Sequence, residues 1–156
     1  MKYKSTLIAV KDMEKAKEFY KTLLGLEVVM DAGANVELTG GLFLQTADTW
    51  VNFINKKSSE IIFENNAIEL YFETDDLDAF ITNLEAYPNI TYLHKVIEHS
   101  WGQRAVRFYD LDMHIIEVAE NIGMVTKHFI AAAGLTIEQT AKRMDVNVEY
   151  VEALLK

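Results

Sequence analysis

The sequence predicts an α+β chain built from two β-α-β-β-β modules, on three observations. Several short segments alternate apolar and polar residues with the period of a strand, while two longer ones repeat their apolar residues with the period of a helix. Glycines and a single proline fall between these segments. The same order of segments then returns 64 residues further along the chain.

Residues 4–10 read as the first strand, with Thr6, Ile8 and Val10 on one face and Ser5, Leu7 and Ala9 on the other. A helix follows from about Met13. Asp12 is its N-cap, Met13, Ala16, Phe19, Tyr20, Leu23 and Leu24 form its apolar stripe, and Gly25 ends it. Three strands come next, at 26–31, 34–39 and 42–47, separated by Gly33, Gly40 and Gly41. Residues 48–66 read as a long connection with some strand character at Ile61–Phe63.

The second module starts with a strand at Glu69–Thr74. Asp76 caps a helix whose stripe is Leu77, Phe80, Ile81 and Leu84 and which ends before Pro88. Strands follow near 91–98, 104–109 and 114–119. A shift of 64 residues sets Ile8 on Phe72, Val10 on Thr74, Asp12 on Asp76, Met13 on Leu77 and Tyr20 on Leu84. The repeat is one of pattern more than of identity. The modules therefore span about 3–64 and 65–120 within a domain of residues 1–120, followed by a helical extension, 121–156.

Composition narrows the function. The 156 residues are 50% hydrophobic and 25% charged, an ordinary globular balance, and no apolar run is long enough to span a bilayer. Cysteine is absent, which excludes disulfides, thiolate-held zinc and thiol nucleophiles. The first apolar run ends at Lys11 and Asp12, too early for a secretory leader, so a cytoplasmic location is expected and no membrane partner. Residues 1–120 carry 11 basic and 20 acidic side chains and the formal charge is −9. Such a surface repels phosphate backbones, so nucleic acid is not an expected partner.

Four stretches resemble the vicinal oxygen chelate superfamily, which includes glyoxalase, bleomycin-resistance proteins, extradiol dioxygenases and fosfomycin-resistance enzymes. They are VKDMEKAKEFYKTLLGL, ELYFETDDLDAF, WGQRAVRFYD and DLDMHIIEV. The last looks like the family's Asp-Pro-Asp-Gly-His turn, with Leu111 for proline and Met113 for glycine. The resemblance covers residues 3–120. It implies that each module curls into half of a U-shaped sheet around a ligand cleft, and that the protein is a homodimer.

In members of that family with metal chemistry, four cleft-facing positions carry it. They fall here on Ser5, Gln45, Glu69 and Glu117; Gln45 is chosen over Leu44 because alternation puts Leu42 and Leu44 on the helix side. No histidine remains among them, although imidazole is a usual anchor for zinc, nickel or iron. The expectation is a metal-free cleft for a small organic ligand. The alternative is Mg²⁺ or Mn²⁺ held by Glu69, Glu117 and Gln45, as in a glyoxalase-like lyase, isomerase or dioxygenase.

Glu117 poses a question of its own, because it lies in the apolar strand HIIEVAE. An ionised carboxylate facing a closed apolar core costs several kcal/mol. Either this face is wet or the carboxylate has a partner. Arg104 and Arg107 lie on the preceding strand, and the turn length leaves open which of them faces Glu117. A salt bridge is one reading, a cationic or hydrogen-bond-donating ligand a second, and a proton-shuttling glutamate a third. Glu117 and Glu69 are thus the candidate catalytic groups, with Gln45, Tyr71, Trp101, Gln103, Arg107 and Ser5 as candidate ligand contacts. His94 and His114 read as surface or turn residues, and His99 as a weaker site candidate beside the Trp101 loop.

The tail reads as a helix over 122–133 that ends at Gly134, then a capping box of Thr136 and Gln139. An apolar stripe follows, of Ile137, Ala141, Met144, Val151, Leu154 and Leu155. IEQTAKRMDVNVEYVEALL resembles a helix-turn-helix, with Asp145 where glycine is usual. Glu149 and Glu152 on the second helix oppose DNA contact, so docking on the body or on a second subunit is expected. A ligand-sensing regulator with a degenerate helix-turn-helix remains the alternative of a different class.

Overall fold

A computed structural model describes all residues, 1–156. The chain divides into two compact units, one of Met1–Ala67 with Asp110–His114, the other of Ile68–Tyr109 with Ile115–Lys156.

The first unit contains β1 (Thr6–Val10), α1 (Met13–Leu24), β2 (Val28–Asp31), β3 (Asn35–Leu38), β4 (Leu42–Thr46) and α2 (Ala47–Phe53). Its sheet runs β1-β4-β3-β2, with β1 parallel to β4 and the other pairs antiparallel. Asp12 accepts a hydrogen bond from the Lys15 backbone N–H (3.1 Å), which satisfies one of the free donors at the start of α1. Gly25 closes the helix at φ 66°, where its N–H reaches the Lys21 carbonyl, a conformation in which a Cβ is strained. The stripe Met13, Ala16, Phe19, Tyr20 and Leu23 is buried, as are Ile8, Val10, Leu42 and Leu44, so alternation assigns the inward face correctly.

The residues after β4 differ from the sequence reading. They form α2 and a 3-10 turn at Ser58–Glu60, and Ile61–Phe63 is not a strand. Glu60 makes the turn by accepting from the Lys57 N–H (2.9 Å) and pairing with Lys56 (2.9 Å).

The second unit repeats the pattern with β5 (Glu69–Thr74), α3 (Leu77–Ala86), β6 (Tyr92–Glu98), β7 (Arg104–Tyr109) and β8 (Ile115–Glu120). Its sheet runs β5-β8-β7-β6, with β5 parallel to β8. Asp76 caps α3 through the Ala79 N–H (2.9 Å), and the helix stops at Tyr87, the residue before Pro88. Ile8 and Phe72 hold matching places: each faces its own module's helix side and pairs with the parallel last strand, Ile8 with Leu44 and Phe72 with Val118.

The tail belongs to this second unit. It forms α4 (Ile122–Ala131), α5 (Ile137–Met144) and α6 (Val148–Leu154). Val125, Phe129 and Met144 make a buried cluster joined by Trp101, Ile122, Leu135, Val146 and Leu154. The Thr136–Gln139 capping box is present, and Asp145 takes the left-handed conformation (φ 55°) expected where glycine is usual. Ala141 and Val151 are also buried, so the stripe packs inside the unit. No helix is long and apolar enough to cross a membrane.

Candidate functional site

On β7, Arg107 lies opposite Glu117 of β8 and opposite His94 of β6, while Tyr71 of β5 lies beside Glu117. These residues share the sheet face that points away from α3. The Arg107 guanidinium takes three partners there. Its Nε donates to Glu69 (2.9 Å), a second nitrogen closes on Glu117, and a third reaches His94 Nε2 at 3.3 Å. His94 Nδ1 donates to the Lys95 carbonyl (2.8 Å), which leaves Nε2 as the acceptor that Arg107 meets. The Glu117 side chain is 5% exposed, Arg107 24% and Glu69 38%. The buried carboxylate therefore has a partner, while the face beside it is open to water at Glu69 and at Tyr71, which is exposed.

Arg104 points to the other face. It is held by Glu120 (2.7 Å) and Asp78 (3.0 Å), which answers which arginine meets Glu117. Arg107 lies three positions after Arg104 and Glu120 three positions after Glu117, an odd offset that on a regular strand sends the members of each pair to opposite faces.

The loop residues are tied into the protein. Gln103 is buried; its amide donates to the Tyr71 hydroxyl (3.1 Å) and the Glu120 carbonyl (2.6 Å), and accepts from the Trp101 indole (3.0 Å). Trp101 packs on the tail cluster and stacks against His99, with ring centroids 4.3 Å apart. Burial, then the charge of Arg107, push His99 below the usual imidazole range, and its Nε2 is buried without a hydrogen-bond partner. The Tyr71 hydroxyl donates to Glu73 (2.7 Å); desolvation and that bond push it up to about 12, so it stays protonated at neutral pH.

In the first unit Gln45 is buried on the face away from α1. It accepts from Asn35 (2.8 Å) and donates to Thr49 of α2 (2.5 Å). Asn35 stands opposite Gln45 on β3 as Arg107 stands opposite Glu117 on β7. The two modules thus carry the same cross-strand pair, once as neutral amides and once as an ion pair. Ser5 lies one residue before β1 and is partly buried. Sequence reasoning missed Asn35, Thr49 and His94. Reading His94 as a surface or turn residue is corrected here, since it is a direct neighbour of Arg107.

A metal fits this donor set poorly. The two carboxylates converge on a guanidinium, and no three His, Asp or Glu side chains are arranged to hold an ion. A divalent cation at Glu69 and Glu117 would have to displace Arg107 or sit against its charge.

The model of the glyoxalase-like domain matches residues 3–123. The chain belongs to the glyoxalase-like family. Among solved structures, this glyoxalase-like chain is similar to a protein of unknown function from Agrobacterium tumefaciens, at 32% identity and a TM-score of 0.70, over 78% of this chain and 94% of that one. A member of the glyoxalase/bleomycin resistance protein/dioxygenase superfamily from Sphaerobacter thermophilus is 26% identical, with a TM-score of 0.59 over 78% and 98% of the two chains. A lactoylglutathione lyase from Agrobacterium tumefaciens shares the fold, with 24% identity and a TM-score of 0.55 over 77% and 93%. No curated protein matches. The family match ends at 123, so most of the tail lies outside what the glyoxalase-like domain defines.

Proposed function

We propose that this glyoxalase-like protein binds a small organic ligand on the helix-free sheet faces without using a metal ion. The observation that carries the reading is Arg107 joined to both Glu69 and Glu117. Those are the positions at which metal-using members of the family would place ligands, and here a fixed cation already stands between them. Glu117 orients Arg107. Glu69, the more exposed carboxylate, is the group that meets the ligand, with Tyr71 beside it as a hydrogen-bonding hydroxyl. One guanidinium between two carboxylates leaves a negative balance, which favours a neutral or cationic ligand with hydrogen-bond donors over an anion.

Elemental analysis of protein purified without chelators, paired with thermal melts in Mg²⁺, Mn²⁺, Zn²⁺ and Ni²⁺, tests this. The expected result is metal far below stoichiometry and no rise in melting temperature with any of the four. One equivalent of metal lost on substituting Glu69 or Glu117 would overturn the reading. Native mass spectrometry of the same preparation then searches for a retained organic ligand.

A further inference from the structure

The second unit contains a cavity of about 650 Å³ that the Arg107 cluster does not line. It lies between the start of α3, the outer ends of β7 and β8, and the tail helices α4 and α5. A small molecule fits in such a volume. The apolar part of the wall comes from Leu77, Val125, Phe129 and Leu135, and the first three are buried.

The charged part of the wall is unevenly balanced. Five carboxylates line the cavity, from Asp75, Asp76, Asp78, Glu98 and Glu120, against the guanidinium groups of Arg104 and Arg143. Arg104 is fully engaged by Glu120 and Asp78. Arg143 lies over the Phe129 ring, 4.7 Å from its centroid, and reaches Glu98 at 3.7 Å. Asp75 and Asp76 have no cationic partner. Asp75 accepts from the Asn121 amide and Asp76 from the Ala79 N–H. Asp76 takes the Ala79 N–H at the start of α3 and so sets a negative charge where an anion would approach the helix end.

We infer that this cavity is a second binding site, for an organic ammonium compound with an apolar body. The body would rest on Val125, Phe129 and Leu77, and the ammonium would meet Asp75 and Asp76 at the edge. An anion would face an excess of carboxylates, and a neutral molecule would leave both aspartates without a counter-charge. Phe129, Leu135 and Arg143 come from the tail, beyond the family match, so the site depends on what this chain adds to the glyoxalase-like domain.

Calorimetry on the full chain at low salt, with 4-phenylbutylammonium, 4-phenylbutanol and 4-phenylbutyrate as probes, tests the inference. The ammonium should bind at least about fivefold more tightly than the alcohol, and the carboxylate most weakly, the margin that two partly exposed charges provide. Asp75→Asn combined with Asp76→Asn, which keeps a capping side chain, should bring the ammonium down to the affinity of the alcohol. Glu69→Gln should leave it unchanged. The inference is overturned by no ammonium binding at about 10 mM, the millimolar limit of useful affinity. It is equally overturned by binding of the alcohol or carboxylate as tight as that of the ammonium, by indifference to the double substitution, or by loss in Glu69→Gln, which would place the ammonium on the sheet face instead.

Discussion

Arg107 stands directly opposite Glu117 across the β7–β8 ladder and joins it to Glu69, two strands away from Arg107. One guanidinium thus compensates a buried carboxylate and a half-exposed one. The three side chains contribute unequally to stability as a result. Arg107→Gln should cost about 3–5 kcal/mol, since it leaves Glu117 buried without a counter-charge. Glu117→Gln should cost about 1–3 kcal/mol, because Arg107 keeps Glu69 and His94. Glu69→Gln should cost under about 1 kcal/mol, as expected of a more exposed pair. Denaturant melts of the three variants check this order; a Glu117→Gln protein as stable as the parent would mean the pair carries little of the fold.

Acid sensitivity should originate at Asp110. This buried carboxylate accepts from the Tyr20 hydroxyl (2.7 Å), His114 Nδ1 (2.8 Å) and the backbone N–H groups of Asp112 and His114. Burial alone pushes it up, but the bond and charge of His114, that residue's N–H and Tyr20 together hold it below the ordinary 3.8. A carboxylate held low stabilises the fold when ionised; the contribution is complete above pH 3.8 and is lost as the pH falls below that. Stability measured from pH 7 down to 2 should therefore fall below about pH 4, and Asp110→Asn should flatten that fall while lowering stability at neutral pH by about 2–4 kcal/mol. Tyr20→Phe, which removes one donor, should cost about 1–3 kcal/mol.

Gly102 allows a close approach of the β6–β7 loop to the tail. It sits at φ 87°, and a Cβ there would lie 2.3 Å from the tip of the Phe129 ring. Gly102→Ala should destabilise by about 1–3 kcal/mol through strain and overpacking together. Adding Phe129→Leu removes the clash but not the backbone strain, so the double variant should recover part of the loss relative to Phe129→Leu alone. Thermal melts of the four proteins in this cycle give the answer.

Deleting residues 122–156 should lower the melting temperature and solubility, since Trp101 and Gly102 lose the cluster they pack on. Differential scanning calorimetry of the truncated and full chains makes the comparison. An unchanged transition would show the tail to be energetically separate from the second sheet.

The repeat was legible because its signals are local. Asp12 and Asp76 cap, Gly25 and Pro88 stop, and alternation separates Gln45 from Leu44. The helix α2 left no such trace: it is seven residues long and buries none of them fully, so no apolar stripe announces it. Thr49 went unseen with it. His94 was hidden by the β6–β7 ladder, whose register shifts on both sides of it and breaks the alternation from which its face would be read. Arg107 could not be separated from Arg104 until the register across the 110–114 turn was known. The cross-strand pairs Asn35–Gln45 and Arg107–Glu117 are visible only once both ladders are aligned.

Gln103 has a consequence for anyone who would graft or exchange parts of this chain. Its single amide holds the Trp101 indole, the Tyr71 hydroxyl and the last carbonyl of β8 at once, and Trp101 rests on the tail helices. The tail is therefore not an interchangeable cassette. A foreign helix that packs Trp101 at a different depth would also re-aim Tyr71 across the sheet, so substitutions in α4 and at Tyr71 will combine non-additively through Gln103.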